Sequence, residues 1–159
     1  MTENKPEMTP TLETAAEIRA DLHQALVETE DAIAAAAAGR FLEWAEDVQK
    51  ALTHLHFSFH DHIEVAEGVD GKDGLYDEVL DREPRLRQAV LTLKGEHPAI
   101  LAAIHEPYHR LKERKPDEFI PYEEIRDSIT AALARITKHR MKGADLVWET
   151  YYVDLGGLD

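Results

Sequence analysis

Four of the nine histidines interrupt stripes of apolar residues that repeat every three or four positions, and each lies in a different stripe. A single histidine on such a face is most simply a hydrogen-bonded core residue. Four imidazoles in one apolar interior need acceptors or a cation, because a buried polar group without a partner is costly. The pattern therefore predicts a metal site with four histidine ligands. They are His23, His62, His97 and His139.

Two glutamates are candidate carboxylate ligands beside these histidines. Glu30 lies seven residues after His23, only about 20° from it on an ideal helix. Two interpretations explain Glu30 equally well. It is either a metal ligand, or a residue that forms a structural salt bridge or lies at the surface. Glu67 lies five residues after His62 and reaches the same face only if the helix end is distorted. The predicted metal ligands therefore include Glu30 and Glu67.

The other five histidines lie off the stripes and are predicted to face solvent or a neighbouring helix. His60 is about 160° from His62 around the helix axis, and it lies four residues before Glu64. That spacing suits a shared ion, but the pair faces away from the interior. The remaining four are His54, His56, His105 and His109.

The stripes predict four long amphipathic helices. They extend over about residues 12–37, 44–66, 90–111 and 129–150. The first contains the alanine-rich segment AIAAAAAG, which ends at Gly39, a residue suited to a helix C-terminus. Strand alternation and hairpin signals are nearly absent. The predicted fold is therefore all-α, an antiparallel four-helix bundle, with a disordered tail over residues 1–10 and one domain over residues 11–159.

Glycine and proline mark the connections between these helices. Three glycines break the chain within residues 68–74, and GLYDEVL favours a short extra helix. Pro84 suits the first turn of the third long helix. Pro98 and Pro107 fall inside that helix, where proline predicts a kink or a displaced helix start. The segment KERKPDEFIPYEE is predicted to be a loop.

Counting along the helices predicts the relative heights of the histidines. From the loop between the third and fourth helices, His97 and His139 are at similar distances, so an antiparallel pair brings them together. The same count from Gly39 separates His23 and His62 by about 10 Å along the helix axis. The first pair therefore fits a common site less well than the second pair.

Composition excludes several classes of function. The 159 residues carry a formal charge of −14, with no basic stripe, which argues against nucleic acid and anionic membranes as partners. The chain contains no cysteine, which rules out disulfides and thiol nucleophiles. The polar opening MTENKPEMTP lacks a signal pattern, and no apolar run reaches the length of a membrane span, so a cytoplasmic location is expected.

Five short motifs resemble the hemerythrin-like (HHE cation-binding) family, over residues 12–156. They are LHFSFHDHI, LKGEHPAI, ARITKHR, YYVDLGG and GLYDEVLDREPRL. The resemblance implies an antiparallel four-helix bundle with a non-haem di-iron centre that binds or senses dioxygen, nitric oxide or peroxide, or handles iron. It also implies that the four stripe histidines are the metal ligands.

The chain departs from the family at the carboxylates that bridge two irons. Many members carry such a residue four positions after the histidines of the second and fourth helices, where this chain has Ala66 and Gly143. Asp145 is about 120° away from His139 and does not replace it. A histidine-rich site without these oxygens favours a single ferrous iron or zinc. The two small residues also leave open volume for a small ligand.

Three hypotheses follow from the sequence. The first is a cytoplasmic, hemerythrin-like protein that binds non-haem iron and a small diatomic or peroxide ligand. The second is a non-haem iron oxidase or oxygenase that acts on a small organic substrate, although no nucleophile, base or phosphate-loop motif marks a catalytic residue. The third is a metal-free helical interaction module, in which the acidic surface is the functional part.

Overall fold

A computed structural model of the protein describes residues 8–70 and 72–152, and it confirms the all-α class. A 3₁₀ turn at Pro84–Leu86 leads directly into the fourth helix, and two strands of two residues each pair in an antiparallel hairpin. The elements are α1 (Pro10–Ala34), α2 (Phe41–Glu67), β1 (Gly68–Val69), β2 (Lys72–Asp73), α3 (Leu75–Arg82), α4 (Arg87–Lys112) and α5 (Tyr122–Tyr151).

Helix α1 begins within the segment that was predicted to be a disordered tail. The Thr9 side chain accepts a hydrogen bond from the Leu12 N–H at 3.1 Å, and Pro10 occupies the first turn, where its missing N–H is not needed. Thr9 also donates to Glu78 of α3 at 2.7 Å. The predicted boundary at residue 11 is therefore wrong for Thr9 and Pro10, while residues 1–7 and the DLGGLD segment lie outside the described residues.

The inward face of α1 differs from the predicted stripe. Leu12, Leu26 and Ile33 of this stripe are buried, but His23 and Glu30 are exposed, as are Ala16 and Ala20, so the prediction that these four residues face the interior is wrong. The buried face is centred slightly earlier than the stripe, because Leu22, Ala25 and Thr29, each one position before a stripe residue, are buried. The buried residues are Leu12, Leu22, Ala25, Leu26, Thr29 and Ile33.

The other three stripes face the interior as predicted. Trp44 and Phe59 of α2 and Ile136 of α5 are fully buried. Helix α4 continues through Pro98 and Pro107, so the displaced helix start considered at these prolines is wrong. The short helix predicted from GLYDEVL is present as α3.

The buried apolar residues form two clusters, and the stripe histidines of α2, α4 and α5 lie between them. On α2, Phe59 belongs to the first cluster and Ala66 to the second, with His62 between them. On α4 the order is reversed, because Leu93 belongs to the second cluster and Ile100 to the first. Helix α1 packs mainly along α2, and α4 packs against both α2 and α5.

A close backbone contact places α3 over the end of α2. Gly68 ends α2 with φ +84°, and a Cβ atom at Gly74 would lie 2.3 Å from the Gly68 nitrogen. Only glycine fits such an approach. The contact brings α3 against α2, α1 and α5. Within the described part of the chain, no helix combines the length and the apolar character needed to cross a bilayer.

Candidate metal centre

Three of the four stripe histidines converge on one point in the interior. His62 of α2, His97 of α4 and His139 of α5 each offer a nitrogen atom, and the three atoms lie within 4.8 Å of one another. The His139 Nε2 atom is 3.1 Å from His62 Nε2 and 3.2 Å from His97 Nε2. The predicted match in height between His97 and His139 is thus confirmed.

These distances suit a shared metal ion. Bonds of about 2.0–2.1 Å from an ion to two imidazole nitrogens put those nitrogens about 2.8–3.4 Å apart at angles between octahedral and tetrahedral. The two measured separations fall in that range. The three nitrogens therefore lie close enough to hold an ion.

A carboxylate lies behind two of the three rings. Glu67 Oε2 is 2.6 Å from His97 Nδ1, and Glu96 Oε1 is 2.9 Å from His139 Nδ1. Each carboxylate accepts a hydrogen bond from Nδ1–H, which leaves the Nε2 lone pair of both rings directed at the cluster. Metal-binding histidines in proteins are commonly oriented in this way.

Lysines hold these two carboxylates in turn. Lys142 Nζ donates to Glu96 Oε2 at 2.6 Å, and Lys94 Nζ is 3.8 Å from Glu67 Oε1. Burial alone would raise the pKa of Glu96, but the hydrogen bonds from Lys142 and His139 outweigh it and lower the pKa. Glu96 is therefore ionised at neutral pH and remains an acceptor for His139.

Burial keeps the three imidazoles uncharged. It lowers the pKa of His62 to about 3, with repulsion from His139 and His97 as further causes. It also lowers the pKa of His97 and His139, although their hydrogen bonds to Glu67 and Glu96 act in the opposite direction. At neutral pH all three are thus neutral bases, the form that binds metal.

Two aromatic residues enclose the cluster. The ring centroid of Phe59, which is fully buried, lies 5.2 Å from that of His62 and 5.8 Å from those of the other two histidines. Tyr76 of α3 stacks on His97, and its hydroxyl is 3.3 Å from His97 Nε2. Burial raises the pKa of Tyr76, so the hydroxyl keeps its proton and can donate.

A cavity of about 60 Å³ lies beside the cluster, among α1, α2, α3 and α5. His62 and His139 contribute to its wall. Ala66 and Gly143 also line it, so the open volume predicted from these two small residues is confirmed. A buried water needs about 10–15 Å³ of such volume, so the cavity has room for a ligand of about four to six non-hydrogen atoms.

The structure does not bring His23, Glu30 or Glu67 to the centre of the cluster. His23 is exposed, and its Nδ1 atom is 3.5 Å from Arg140 Nη1. Glu30 is exposed on α1. Glu67 is close, but it contacts the outer nitrogen of His97 and so supports that ligand from behind. The structure thus offers no support for metal binding by any of the three.

The histidines off the stripes lie at or near the surface. His60 and Glu64 are 3.7 Å apart and, with Asp61, form an exposed group. His105 and His109 are also exposed. His54 is partly buried, because it pairs with Glu28 at 2.7 Å and with Asp21 at 3.2 Å on α1. His56 is partly buried too.

Sequence reasoning missed Glu96 and Tyr76. Glu96 directly precedes His97 and lies off the apolar stripe, so only the packing of α4 against α5 brings it behind His139. Tyr76 lies in the short helix that was predicted, but its contact with His97 depends on the tight turn at Gly74. The sequence offered one signal for Glu96, which is its position directly before the candidate ligand His97.

Comparison with known proteins identifies no relative, since no family model, curated protein or solved structure matches this chain.

Proposed function

We propose that this protein is a hemerythrin-like metal-binding protein in which His62, His97 and His139 hold one divalent transition-metal ion. The contact between His97 and His139 carries the proposal. Both rings donate Nδ1–H to a carboxylate, so two Nε2 lone pairs face each other at 3.2 Å with no proton between them. Two facing lone pairs repel each other, and a cation bound by both nitrogens would turn this contact into a favourable one.

The order of the apolar clusters along the helices supports an antiparallel four-helix bundle. Helices α2 and α5 pass from the first cluster to the second, whereas α1 and α4 pass from the second to the first. Helices that alternate in this way are expected to run in alternating directions around one core. This is the bundle that the resemblance to hemerythrin-like proteins implies.

The residues present fit one ion better than two. The three nitrogens supply ligands for a single centre, and imidazole suits iron and zinc. A second ion toward the cavity would meet Ala66 and Gly143, which have no ligand atoms in their side chains, and the guanidinium of Arg140. We therefore propose a mononuclear site, with iron as the ion that the family resemblance implies.

Three protein ligands leave room in the coordination of the ion for a small molecule. A bound iron would supply the redox and ligand-binding chemistry needed for dioxygen, nitric oxide or peroxide. The chain itself packs Phe59 against the histidine rings, offers a hydroxyl donor at Tyr76 and would admit a ligand through the adjoining cavity. Reversible binding of a diatomic or peroxide ligand is the function that we propose.

Anaerobic titration of the untagged protein with ferrous iron tests the metal proposal. We expect one ion per chain, and loss of that ion in the His62→Leu and His97→Leu variants. His60→Leu is the matched control, because His60 is exposed on the same helix as His62. Absence of stoichiometric binding of iron or zinc would reject the proposal and favour a metal-free interaction module.

A second candidate function is oxidation of a small organic substrate, and the cavity beside His62 and His139 favours it. The cavity has room for about four to six non-hydrogen atoms, which is more than a diatomic ligand needs. Oxygen consumption that depends on an added substrate would support an oxidase. Oxygen uptake that saturates at one molecule per ion, with no turnover, would support the carrier.

A further inference from the structure

The wall of the cavity carries positive charge that has no acidic partner. Arg19 of α1 and Arg140 of α5 both line it, and the lining contributed by the described residues contains no aspartate or glutamate. This is unexpected in a chain with 32 acidic residues and a net charge of −14. Elsewhere in the described part of the chain, Arg40, Arg85 and Arg110 each pair with a glutamate.

Of the two arginines, Arg19 is exposed, whereas Arg140 has a buried donor that is not satisfied. Arg140 Nε is buried without a partner, and the only contact of its guanidinium within residues 8–70 and 72–152 is the 3.5 Å contact with His23. Over the same residues neither Arg19 nor Arg140 forms a salt bridge. A buried donor without an acceptor costs free energy, and native structures rarely leave one unsatisfied.

We propose that the cavity binds a small carboxylate, whose oxygens accept hydrogen bonds from Arg140 and Arg19. A guanidinium matches a carboxylate through parallel N–H donors. Leu22 and Ala66 give the wall an apolar part that suits a short hydrocarbon tail. The volume limits the ligand to about four to six non-hydrogen atoms, the size of acetate or butyrate. This inference goes beyond the proposed metal function, because it requires no metal.

Calorimetric titration of the metal-free protein with propionate tests the proposal, with propionamide as a neutral compound of the same shape. We expect one propionate per chain with a dissociation constant in the millimolar range or below, and no binding of propionamide. The Arg140→Leu and Arg19→Leu variants are expected to bind at least tenfold more weakly, a loss of about 1.4 kcal/mol. Arg135→Leu is the matched control, since Arg135 is exposed on α5 and does not line the cavity.

Filling the cavity gives a second test that leaves both arginines in place. A Cβ atom at Gly143 or at Gly95 would meet no other atom within 4 Å, so both helical positions accept a side chain. Gly143 lines the cavity, whereas Gly95 is exposed on α4. We expect Gly143→Leu to abolish propionate binding and Gly95→Leu to leave it unchanged, with circular dichroism showing that both variants fold.

The His97→Leu variant separates this proposal from the metal proposal. His97 belongs to the metal cluster but not to the cavity wall, so the variant is expected to lose the ion and keep propionate binding. Three results would overturn the carboxylate proposal. They are the absence of saturable binding at about 10 mM propionate, equal affinity in the Arg140→Leu and Arg135→Leu variants, and equally strong binding of propionamide.

Discussion

The orientation of His97 and His139 depends on the residues that contact their Nδ1 atoms, on the side of each ring that faces away from the cluster. Glu67 and Glu96 hold His97 and His139 by Nδ1, and each carboxylate is in turn close to a lysine. Such support fixes ring orientation and raises the basicity of the nitrogen that binds metal. The two glutamates should therefore affect metal affinity although neither is placed to bind the ion.

Replacing Glu96 by glutamine should weaken metal binding without removing it. Loss of the negative charge behind His139 is expected to raise the dissociation constant for iron or zinc about 10–100-fold. Competition with a chromophoric chelator measures the change. Glu64→Gln is the control, because Glu64 is exposed on α2 and its carboxylate pairs, among the described residues, with His60 alone. Equal affinities in the two variants would show that Glu96 has no supporting role.

The metal-free protein should lose stability as the pH falls below about 6.5. Burial holds the pKa of His62 near 3 in the folded state, so the unfolded chain binds the proton first. The stabilising contribution is complete above pH 6.5, and it falls by up to about 1.4 kcal/mol per pH unit on the way to pH 3. Urea denaturation at pH 6.5 and at pH 4.5 measures the loss.

The His62→Gln variant provides the comparison, because it removes this titration and should lose less stability over the same interval. The pKa of His54 is raised, chiefly by its hydrogen bond to Glu28. His54 is therefore protonated in both states below pH 6.5 and adds no slope there. Identical slopes in the wild-type and His62→Gln proteins would contradict an uncharged His62 in the folded state.

At the scale of the helices, the start of α1 and the short helix α3 are linked. Thr9 caps α1 and also donates a hydrogen bond to Glu78, which accepts a second one from Tyr151 of α5 at 2.6 Å. One carboxylate of α3 thus joins the start of α1 to the end of α5, close to Tyr76. The position of α3, and with it the Tyr76 hydroxyl, depends on this junction.

Replacing Thr9 by alanine should lower the free energy of unfolding by about 1–2 kcal/mol, because both the cap and the link to Glu78 are lost. Urea denaturation measures the change. Thr14→Ala is the control, since Thr14 is exposed and its hydroxyl donates only to the Pro10 carbonyl of its own helix. Similar small losses in both variants would show that the junction contributes little.

At the scale of the whole molecule, the three histidines form a polar layer between two apolar clusters. A layer of neutral imidazoles weakens the core unless a ligand joins them, because their nitrogens are removed from water. An ion bound there would connect α2, α4 and α5 through one point. Metal binding should therefore change the stability of the entire fold.

Loading with metal should raise the melting temperature. An ion present at about 100 times its dissociation constant adds about 2.7 kcal/mol, which corresponds to about 5–10 °C for a chain of this size. Differential scanning calorimetry with added ferrous iron or zinc, and then with excess chelator, measures the shift and its reversal. The His97→Leu variant should show no shift. Melting of the wild-type protein that metal and chelator leave unchanged would favour the metal-free interaction module.

The sequence by itself determined the helices and the inward faces of three of them. Large apolar residues at steps of three and four define the buried sides of α2, α4 and α5, and they correctly predicted that His62, His97 and His139 face the interior. Periodicity was less exact for α1, because the many alanines of this helix leave the edges of the face around Leu12, Leu26 and Ile33 undefined. His23 and Glu30 were misplaced for that reason.

Only the tertiary structure decided which side chains from different helices meet. Spacing along one helix fixes the angle between its own residues, but it does not fix the rotation or height of that helix relative to its neighbours. The contact of Glu96 with His139 and the cavity lined by Arg19 and Arg140 depend on those quantities. They are set by the packing of the two apolar clusters and by the turn at Gly74, where two backbone segments touch.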